Sequence, residues 1–282
     1  MSQNPPPTIA QALVEAAQTL AATSDTARLD AEVLMAHALG VSRSDLVLRH
    51  MRDSVPATFA PLVARRMTHE PVAYITGHQE FWGLDFLVGP EVLIPRGDTE
   101  TLVEAAETAF TARPPQRIID LGTGSGALLC AALSIWPGAQ GIGIDRSQGA
   151  LAMARANANR LGLGQRARII AADWHTPGWA RDLGRFDLVL ANPPYVETSA
   201  DLDRSVVDHE PHSALFAGAE GLDDYRVLVP QLGDLLAPDG IAMIEIGWTQ
   251  GEAVCALARQ GGFAAQVHTD LGGRPRAVEI TA

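Results

Sequence analysis

The chain has 282 residues, 47% of them hydrophobic, which suffices for one large α/β domain and a small accessory one. Its formal net charge of −12 argues against a broad contact with a nucleic-acid backbone, because such contacts rely on clustered Lys and Arg. No run approaches the roughly 18 apolar residues of a membrane span, and residues 1–7 lack the pattern of a signal sequence. We therefore expect a cytoplasmic protein that contacts no membrane.

The N-terminal part of the chain has the apolar spacing of α-helices. Apolar residues recur at helical intervals over 9–20 and again over 29–38, where Gly40 is the expected C-cap. A further helix is expected from about Pro56 to Thr68. The pattern predicts a small helical domain over residues 1–77.

The next segment has the pattern of short strands. Residues 81–88 read Phe-Trp-Gly-Leu-Asp-Phe-Leu-Val, in which aromatic and aliphatic residues alternate around Gly83. Gly89-Pro90 then interrupts the pattern. We predict a β-hairpin that serves as a linker over residues 78–95.

From Asp98 onward, apolar runs of strand length alternate with helical segments. These runs lie at 118–121, 141–144, 167–170, 186–190 and 241–246. Such alternation is typical of a mostly parallel sheet that is covered by helices on both faces. The pattern predicts an α/β fold for the larger part of the chain.

A glycine-rich loop follows the first of these strands. It reads Asp120-Leu121-Gly122-Thr123-Gly124-Ser125-Gly126 and leads into a helix predicted over 127–135. Glycines at these positions allow a tight turn and let a ligand approach the backbone and the helix N-terminus. Asp145, after the second strand, is placed to accept hydrogen bonds from ribose hydroxyls. The two features together predict a cofactor that contains a nucleoside.

The loop favours one class of nucleoside cofactor. Dinucleotide sites use Gly-x-Gly-x-x-Gly, whereas this loop is Gly-x-Gly-x-Gly behind Asp120, an acid that repels a pyrophosphate but suits the amino group of a methionine moiety. After the third strand, Asp173 can accept the adenine amine, and Trp174 can flank the ring or fill a gap at the rim. S-adenosylmethionine is therefore favoured over NAD or FAD.

The segment Asn192-Pro193-Pro194-Tyr195 follows the fourth apolar run. Its prolines force the chain out of the sheet, so the Asn192 side-chain oxygen and the Pro193 carbonyl oxygen can face one pocket. Two such acceptors can hold both hydrogens of a planar NH2 group and orient its lone pair, while Tyr195 stacks on the group. The pattern thus indicates methylation of an amide or an exocyclic amine, unless the segment is only a turn.

Metal chemistry is not expected. A methyl group on a sulfonium is already activated, so the transfer needs positioning rather than a metal ion or a covalent intermediate. His209 and His212 flank Glu210-Pro211, but the proline favours a surface turn over a metal site. The sequence therefore predicts no metal ligands.

In this order the motifs resemble those of the PrmC/HemK family of protein-glutamine methyltransferases, which modify class I peptide chain release factors. The resemblance extends over nearly the whole chain. Its further segments are Glu70-Pro71-Val72-Ala73-Tyr74-Ile75-Thr76-Gly77, Phe81-Trp82-Gly83, Ile94-Pro95-Arg96, Asp98-Thr99-Glu100, Glu210-Pro211-His212, Ala214-Leu215, Asp223-Asp224-Tyr225-Arg226, Glu245-Ile246-Gly247 and Asp270-Leu271-Gly272-Gly273-Arg274-Pro275-Arg276.

The resemblance implies an architecture, a methyl donor and a substrate. It implies an N-terminal helical domain that recognises the substrate, a linking hairpin, and a class I, Rossmann-like methyltransferase domain of seven strands over residues 96–282. The methyl donor would be S-adenosylmethionine, and the substrate the glutamine in the Gly-Gly-Gln tip of the release factor. A monomer is the default expectation.

The resemblance also assigns roles to individual residues. It places Asp120, Gly122, Thr123, Gly124, Ser125, Gly126, Asp145, Asp173, Trp174 and Asn192 around the cofactor. It places Asn192, Pro193, Pro194 and Tyr195 around the glutamine amide, with Arg96 nearby, and makes Asn192, Pro193 and Tyr195 catalytic. Gly97 stands where the family usually has proline, which loosens the backbone beside Arg96.

Two other functions remain open at this point. An amino-methyltransferase that acts on adenine in DNA or RNA could hold a flipped base in the same kind of pocket, although the acidic net charge speaks against it. A methyltransferase-like scaffold without activity is the other alternative. The complete set of pocket residues argues against that alternative, because a protein that only binds a partner has no need of them.

Overall fold

The computed structural model describes residues 7–282. Residues 1–6 lie outside the described residues. The prediction that residues 1–7 are not a signal sequence therefore falls almost entirely on this part of the chain. The helices are α1 (Ile9–Leu20), α2 (Ala27–Leu39), α3 (Arg43–Asp45), α4 (Phe59–Arg66), α5 (Val72–Thr76), α6 (Glu100–Ala109), α7 (Ala127–Ile135), α8 (Gln148–Arg160), α9 (Arg204–Val207), α10 (Asp223–Leu228), α11 (Leu232–Leu235) and α12 (Gly251–Gln260).

The strands fall into a hairpin and a larger sheet. They are β1 (His78–Phe81), β2 (Leu84–Leu87), β3 (Arg117–Leu121), β4 (Gln140–Asp145), β5 (Ala167–Ala171), β6 (Phe186–Ala191), β7 (Leu236–Glu245), β8 (Ala264–Thr269) and β9 (Pro275–Thr281). The chain forms two compact units. We call the residues up to His78, together with Leu202–His209, the helical unit. Residues Gln79–Asp201 and Glu210–Ala282 form the second unit, which we call the sheet unit.

The helical unit is held together by the apolar faces of its helices. Thr8 caps α1 in a reciprocal capping box with Gln11, whose backbone N–H donates to the Thr8 hydroxyl. Leu13 and Leu34 are fully buried between the helices, as the helical spacing predicts. Gly40 has φ of 67° and ends α2 in the left-handed conformation expected of a C-cap.

Within residues 7–282, seven strands form one sheet in the order β5-β4-β3-β6-β7-β9-β8. The strands from β5 to β7 in that order are parallel, whereas β9 pairs antiparallel with both β7 and β8. The predicted α/β fold with a mostly parallel sheet, a hairpin and an N-terminal helical part is confirmed. The apolar runs located β3 to β7 but not the antiparallel pair β8 and β9.

Helices cover both faces of this sheet. One face carries a core that includes Leu102 of α6, Leu129 of α7 and Leu188 of β6, and the other a core that includes Val189 of β6 and Tyr225 of α10. In the part of the chain that the structure describes, no helix is both long and apolar enough to cross a membrane. The carboxyl ends of the parallel strands β3, β4 and β6 lie at one edge of the sheet, where ligands bind in this kind of fold.

Candidate active site

A cleft opens at this edge of the sheet unit, with an empty volume of about 1060 Å³ including the space that is open to solvent. Most of the predicted site residues line it: Arg96, Asp120, Gly122, Thr123, Gly124, Ser125, Asp145, Asp173, Trp174, Asn192 and Pro194. Gly126, Pro193 and Tyr195 do not belong to the wall of this cleft. The structure therefore brings the predicted cofactor residues together with Asn192 in one cavity.

The glycine-rich loop turns sharply at the end of β3. Gly122, Gly124 and Gly126 have φ of 74°, 53° and 83°, a region that favours glycine. The Gly122 N–H donates to the Ile144 carbonyl oxygen at 3.0 Å, which ties the loop to β4. A Cβ on Gly122 would lie 3.1 Å from the Trp174 ring, so this backbone passes directly beneath the indole.

Asp120 presents an unpaired buried oxygen behind this loop. Its side chain is 1% exposed, and its Oδ2 accepts a hydrogen bond from the Thr123 hydroxyl at 2.6 Å. Among the described residues, Oδ1 has no hydrogen-bond partner. Burial raises the pKa of Asp120 to about 7, although the Thr123 hydrogen bond opposes the shift. An unsatisfied carboxyl oxygen beside a cleft fits a ligand that carries an ammonium group.

Asp145 ends β4 on the opposite side of the loop. Its Oδ2 accepts a hydrogen bond from the Gly124 N–H at 3.0 Å, and its Oδ1 accepts one from the Ser147 N–H at 2.8 Å. A carboxylate oxygen has a second lone pair, so both oxygens can also accept bonds from a ligand. Two parallel acceptors at the cleft wall fit the adjacent hydroxyls of a ribose.

Asp173 and Trp174 form the wall beyond β5. Asp173 accepts hydrogen bonds from the backbone and ring of His175, and the backbone bond lowers the pKa of Asp173 below its usual value. The Trp174 indole N–H donates to Asp224 Oδ1 at 2.9 Å. The indole is thus fixed at its polar end, with its ring held against Gly122.

Asn192 follows β6 and lies on the cleft wall. Its Nδ2 donates to the hydroxyl of Thr99 at 3.4 Å, and Thr99 is itself buried. This bond uses one of the two amide hydrogens and leaves Oδ1 able to accept a hydrogen bond from a ligand. Pro194 is buried and also lines the cleft, whereas the side chain of Pro193 is buried and is not part of the cleft wall.

Tyr195 points toward the core rather than into the cleft. Its ring packs beside the core on the α10 face of the sheet, and its hydroxyl donates to Glu245 Oε1 at 3.2 Å. Its backbone carbonyl accepts a hydrogen bond from Gln250 Nε2 at 2.9 Å. Burial raises the pKa of the Tyr195 hydroxyl well above its usual value. In this conformation Tyr195 does not stack on a group in the cleft.

Glu245 belongs to the motif Glu245-Ile246-Gly247, to which the sequence assigns no role. It ends β7 beside β6, and its side chain is 1% exposed. Burial raises the pKa of Glu245 to about 7, and the hydrogen bond from the Tyr195 hydroxyl opposes the shift. The sequence does contain one signal for Glu245: it is an acid at the end of an apolar strand, and that strand lies next to the strand that precedes Asn192.

Arg96 lies on the cleft wall, but its guanidinium is held by Glu210. The buried Glu210 carboxylate also accepts a hydrogen bond from the Ile94 N–H at 3.1 Å. Gly97 begins a 3-10 turn, and a Cβ there would have nothing within 4 Å. Glu210 therefore holds Arg96 in place beside the unrestricted backbone of Gly97.

His209 and His212 fall into different units of the chain. His209 belongs to the helical unit, where its Nε2 lies 3.0 Å from the Thr68 carbonyl oxygen, and His212 belongs to the sheet unit. Over residues 7–282, no group of three or more His, Cys, Asp or Glu side chains could hold a metal ion.

The fold of the larger unit is found in solved methyltransferases. The crystal structure of the hMettl16 catalytic domain in complex with an RNA hairpin matches with a TM-score of 0.54, at 15% identity over 77% of this chain and 81% of that one. A likeness at this level of identity concerns the fold alone. It agrees with a Rossmann-like methyltransferase sheet.

Comparisons of sequence identify the family. Residues 11–77 match the model of the PrmC N-terminal domain, and residues 113–265 match that of a methyltransferase domain. Release factor glutamine methyltransferases are 39% identical in Bradyrhizobium diazoefficiens, over 96% of this chain and 95% of the relative, and 42% identical in Moorella thermoacetica, over 95% and 96%. The protein of that name in Rhodospirillum rubrum is 43% identical over 88% of this chain and 77% of the relative. The chain belongs to the release factor glutamine methyltransferase family.

Proposed function

We propose that this protein transfers a methyl group from S-adenosylmethionine to the side-chain amide nitrogen of the glutamine in the Gly-Gly-Gln motif of class I peptide chain release factors. The observation that carries the proposal is the position of Asn192. Its amide oxygen is available on the wall of the same cleft that the glycine-rich loop lines. The names of the relatives supply the class of substrate.

The cleft residues fit the methyl donor, which when bound supplies an electrophilic methyl group on a sulfonium. Asp120 Oδ1 accepts the ammonium of the methionine part, and the backbone of 122–126 borders it. Asp145 accepts the ribose hydroxyls. Asp173 and Trp174 contact adenine, Asp173 as an acceptor for its amine and Trp174 as an apolar wall.

Asn192 acts on the target amide. An amide nitrogen is a poor nucleophile because its lone pair is delocalised into the carbonyl group. Asn192 Oδ1 accepts one hydrogen of this NH2 group, which turns the nitrogen toward the methyl group and raises its electron density. The Pro193 carbonyl is proposed as the second acceptor, and Pro194 as an apolar wall.

Tyr195 and Arg96 take supporting roles in the proposal. Stacking of Tyr195 on the glutamine amide requires its ring to leave the contact with Glu245, so in the conformation described here Tyr195 supports the Asn192 segment from behind. Arg96, paired with Glu210, fixes the segment of residues 94–96 at the cleft wall. Both side chains thus hold the residues of the cleft in the positions that methyl transfer requires.

The helical domain, residues 1–77, is proposed to recognise the release factor. This part of the chain matches the PrmC N-terminal domain, a module that accompanies the methyltransferase domain in the family. We further propose that the protein acts as a monomer in the cytoplasm, where translation terminates.

A competition assay tests the proposed substrate. The protein is incubated with methyl-labelled S-adenosylmethionine, a class I release factor and double- and single-stranded DNA in one reaction. We expect label in the release factor alone, and none when the glutamine of its Gly-Gly-Gln motif is replaced by asparagine. Label in the DNA would instead identify an amino-methyltransferase that acts on adenine.

A further inference from the structure

We propose that Gln250 is a positioning residue for methyl transfer, whose buried side-chain amide fixes the segment of residues 192–195 through the main-chain carbonyl of Tyr195. The inference rests on the proposed function, because this segment is the one that holds the target amide. Asn192 and Pro194 line the cleft, whereas Gln250 does not. Any effect of Gln250 on the substrate must therefore pass through residues 192–195.

The contact between Gln250 and this segment is direct. Gln250 Nε2 donates one hydrogen bond to the Tyr195 carbonyl oxygen at 2.9 Å and a second to the Gly221 carbonyl oxygen at 3.1 Å. Gln250 Oε1 accepts a hydrogen bond from the Gly247 N–H at 2.9 Å. The residue is only 8% exposed, so water competes little for these bonds. The opposite orientation of the amide would place its oxygen against two carbonyl oxygens, so these acceptors fix which end of the side chain faces Tyr195.

The two prolines make the main chain stiff between this contact and the cleft. Pro193 and Pro194 have restricted φ angles, and each proline also limits the conformation of the residue before it. Asn192 and Tyr195 are therefore joined by a short stretch of main chain that has little freedom to bend. A shift of the Tyr195 carbonyl group consequently moves the Asn192 side chain and the Pro193 carbonyl oxygen, which are the two proposed acceptors for the glutamine amide.

Gln250 is itself fixed to the scaffold of the sheet unit. It is the N-cap residue of α12, and its carbonyl oxygen accepts a hydrogen bond from the Val254 N–H at 3.0 Å. Its own N–H donates to the Gly247 carbonyl oxygen at 2.8 Å, which closes the turn between β7 and the helix. The side chain thus joins residues 192–195 to a rigid part of the fold. Support of this kind holds a reacting group within about 0.5 Å of its productive position.

Gly221 leaves the space that this contact needs. Its φ of 66° favours glycine, and a Cβ there would overlap the Tyr195 carbonyl oxygen and lie 2.7 Å from Gln250 Nε2. A larger residue at this position would force the amide and the carbonyl group apart. The contact between Gln250 and Tyr195 is therefore matched by a glycine that permits their close approach.

The first test replaces Gln250 by glutamate. Glutamate keeps the size of the side chain and the acceptor for the Gly247 N–H, but it turns an oxygen toward the Tyr195 carbonyl oxygen and displaces the segment. With release factor and labelled S-adenosylmethionine both saturating, we expect kcat to fall by about 10²-fold, at nearly unchanged KM for release factor and nearly unchanged cofactor affinity. Gln250→Met removes the two donors without adding a charge, and its kcat should fall in the same way.

Tyr225→Phe is the matched control. The Tyr225 hydroxyl donates to the main-chain oxygen of Glu245 at 2.9 Å, so the variant loses a buried hydrogen bond in the same core. Both acceptors of Gln250 Nε2 remain in place. The Tm of Tyr225→Phe should therefore fall, whereas its kcat should remain that of the wild-type protein.

Asn192→Ala provides the background for a second test. If Gln250 acts by holding the segment of Asn192, Gln250→Glu should reduce kcat much less in Asn192→Ala than in the wild-type protein, because both changes act on one element. The four proteins of this cycle are compared in the same labelling assay at saturating substrates.

Hydrogen exchange tests the contact without any substrate. In the cofactor-free protein, the amides of residues 195–198 should exchange faster in Gln250→Glu than in the wild-type protein, because the Tyr195 carbonyl oxygen has lost its donor. Failure of the wild-type protein to label release factor would refute the proposed function, and the exchange measurement would still decide whether Gln250 fixes the segment.

Several outcomes overturn the inference. Wild-type kcat in Gln250→Glu or in Gln250→Met would do so, and so would equal losses with and without Asn192, or unchanged exchange of residues 195–198. A kcat for Tyr225→Phe as low as that of Gln250→Glu would show that Gln250 is needed only to hold the structure together. If Gln250→Glu does not fold, Gln250→Met decides, and failure of both variants to fold would likewise assign Gln250 to the structure alone.

Discussion

Trp174 lies so close to Gly122 that a Cβ on the glycine would stand 3.1 Å from its indole ring. The indole cannot easily withdraw, because its N–H is bonded to Asp224 and the Trp174 carbonyl accepts a hydrogen bond from Gln231 at 3.0 Å. The glycine-rich loop and the Trp174 side chain are therefore fitted to each other.

Gly122→Ala should weaken cofactor binding. The added methyl meets Trp174, and the φ of 74° is strained for alanine. A strain of about 1–3 kcal/mol would reduce the affinity for S-adenosylmethionine by about tenfold or more if the loop shifts to relieve it. Calorimetric titration measures the change. Gly138→Ala, where a Cβ meets nothing within 4 Å, is the control and should bind as the wild-type protein does.

Asp120 should make cofactor binding depend on pH. Its pKa of about 7 in the folded protein lies above the ordinary value of 3.8, so the carboxyl is protonated below about pH 7 and ionised above it. An ammonium binds the ionised form more tightly, and the affinity for S-adenosylmethionine should therefore fall as the pH is lowered from 8 to 6. Asp120→Asn should bind weakly at both pH values and lack this dependence. Equal slopes in the two proteins would show that another group is responsible.

The same pKa shift predicts a change in stability. Because the folded-state pKa of Asp120 is raised, the folded protein loses stability as the pH rises from about 4 through about 7. Asp120→Asn removes this pH dependence, so the free energy of unfolding of the variant minus that of the wild-type protein should be larger at pH 8 than at pH 4. Urea unfolding of the cofactor-free protein at the two pH values gives the comparison.

Gly97→Pro should stabilise the protein. Arg96 has φ of −105° and ψ of 144°, which a following proline accepts, and Gly97 is the first residue of a 3-10 turn, where no amide donor is needed within the turn. Reducing the freedom of the unfolded chain should add about 0.4–1 kcal/mol to the free energy of unfolding. A lower midpoint in urea would mean that the backbone of Gly97 cannot adopt the φ of proline.

Asp30 should contribute strongly to the helical unit. Its Oδ2 pairs with Arg66 Nε at 2.7 Å, and both side chains are almost fully buried. Asp30→Ala leaves the Arg66 cation buried without its partner, so we expect a loss of about 3–5 kcal/mol. Arg28→Ala removes the exposed partner of a different pair, with Glu32, and should cost less than about 1 kcal/mol. Chemical unfolding of the two variants tests the difference.

The sequence predicted those features that depend on local signals. The runs that became β3 to β7 are continuous and apolar, and the glycines of the loop after β3 mark a turn by composition alone. β8 was not located because it lies at the edge of the sheet and has no buried residue, so it carries no apolar run. Leu202–His209 belongs to the helical unit through contacts with residues far away in sequence, which periodicity does not reveal.

The site shows the same division between local and long-range information. Asn192 and Asp120 could be found from their motifs, because each follows a strand directly. Glu245 meets the hydroxyl of Tyr195, 50 positions earlier in the sequence, only after the sheet has formed. The inward position of Tyr195 likewise depends on Glu245, the partner of its hydroxyl.

The central claim is that Asn192 presents a glutamine amide for methylation. The most direct measurement is mass spectrometric mapping of a class I release factor after reaction with the wild-type protein and with Asn192→Ala. We expect one methyl group on the side-chain nitrogen of the glutamine in the Gly-Gly-Gln motif with the wild-type protein. With Asn192→Ala we expect turnover to be lower by about 10²-fold or more at nearly unchanged cofactor affinity. A methyl group on another residue, or equal turnover by Asn192→Ala, would contradict the account.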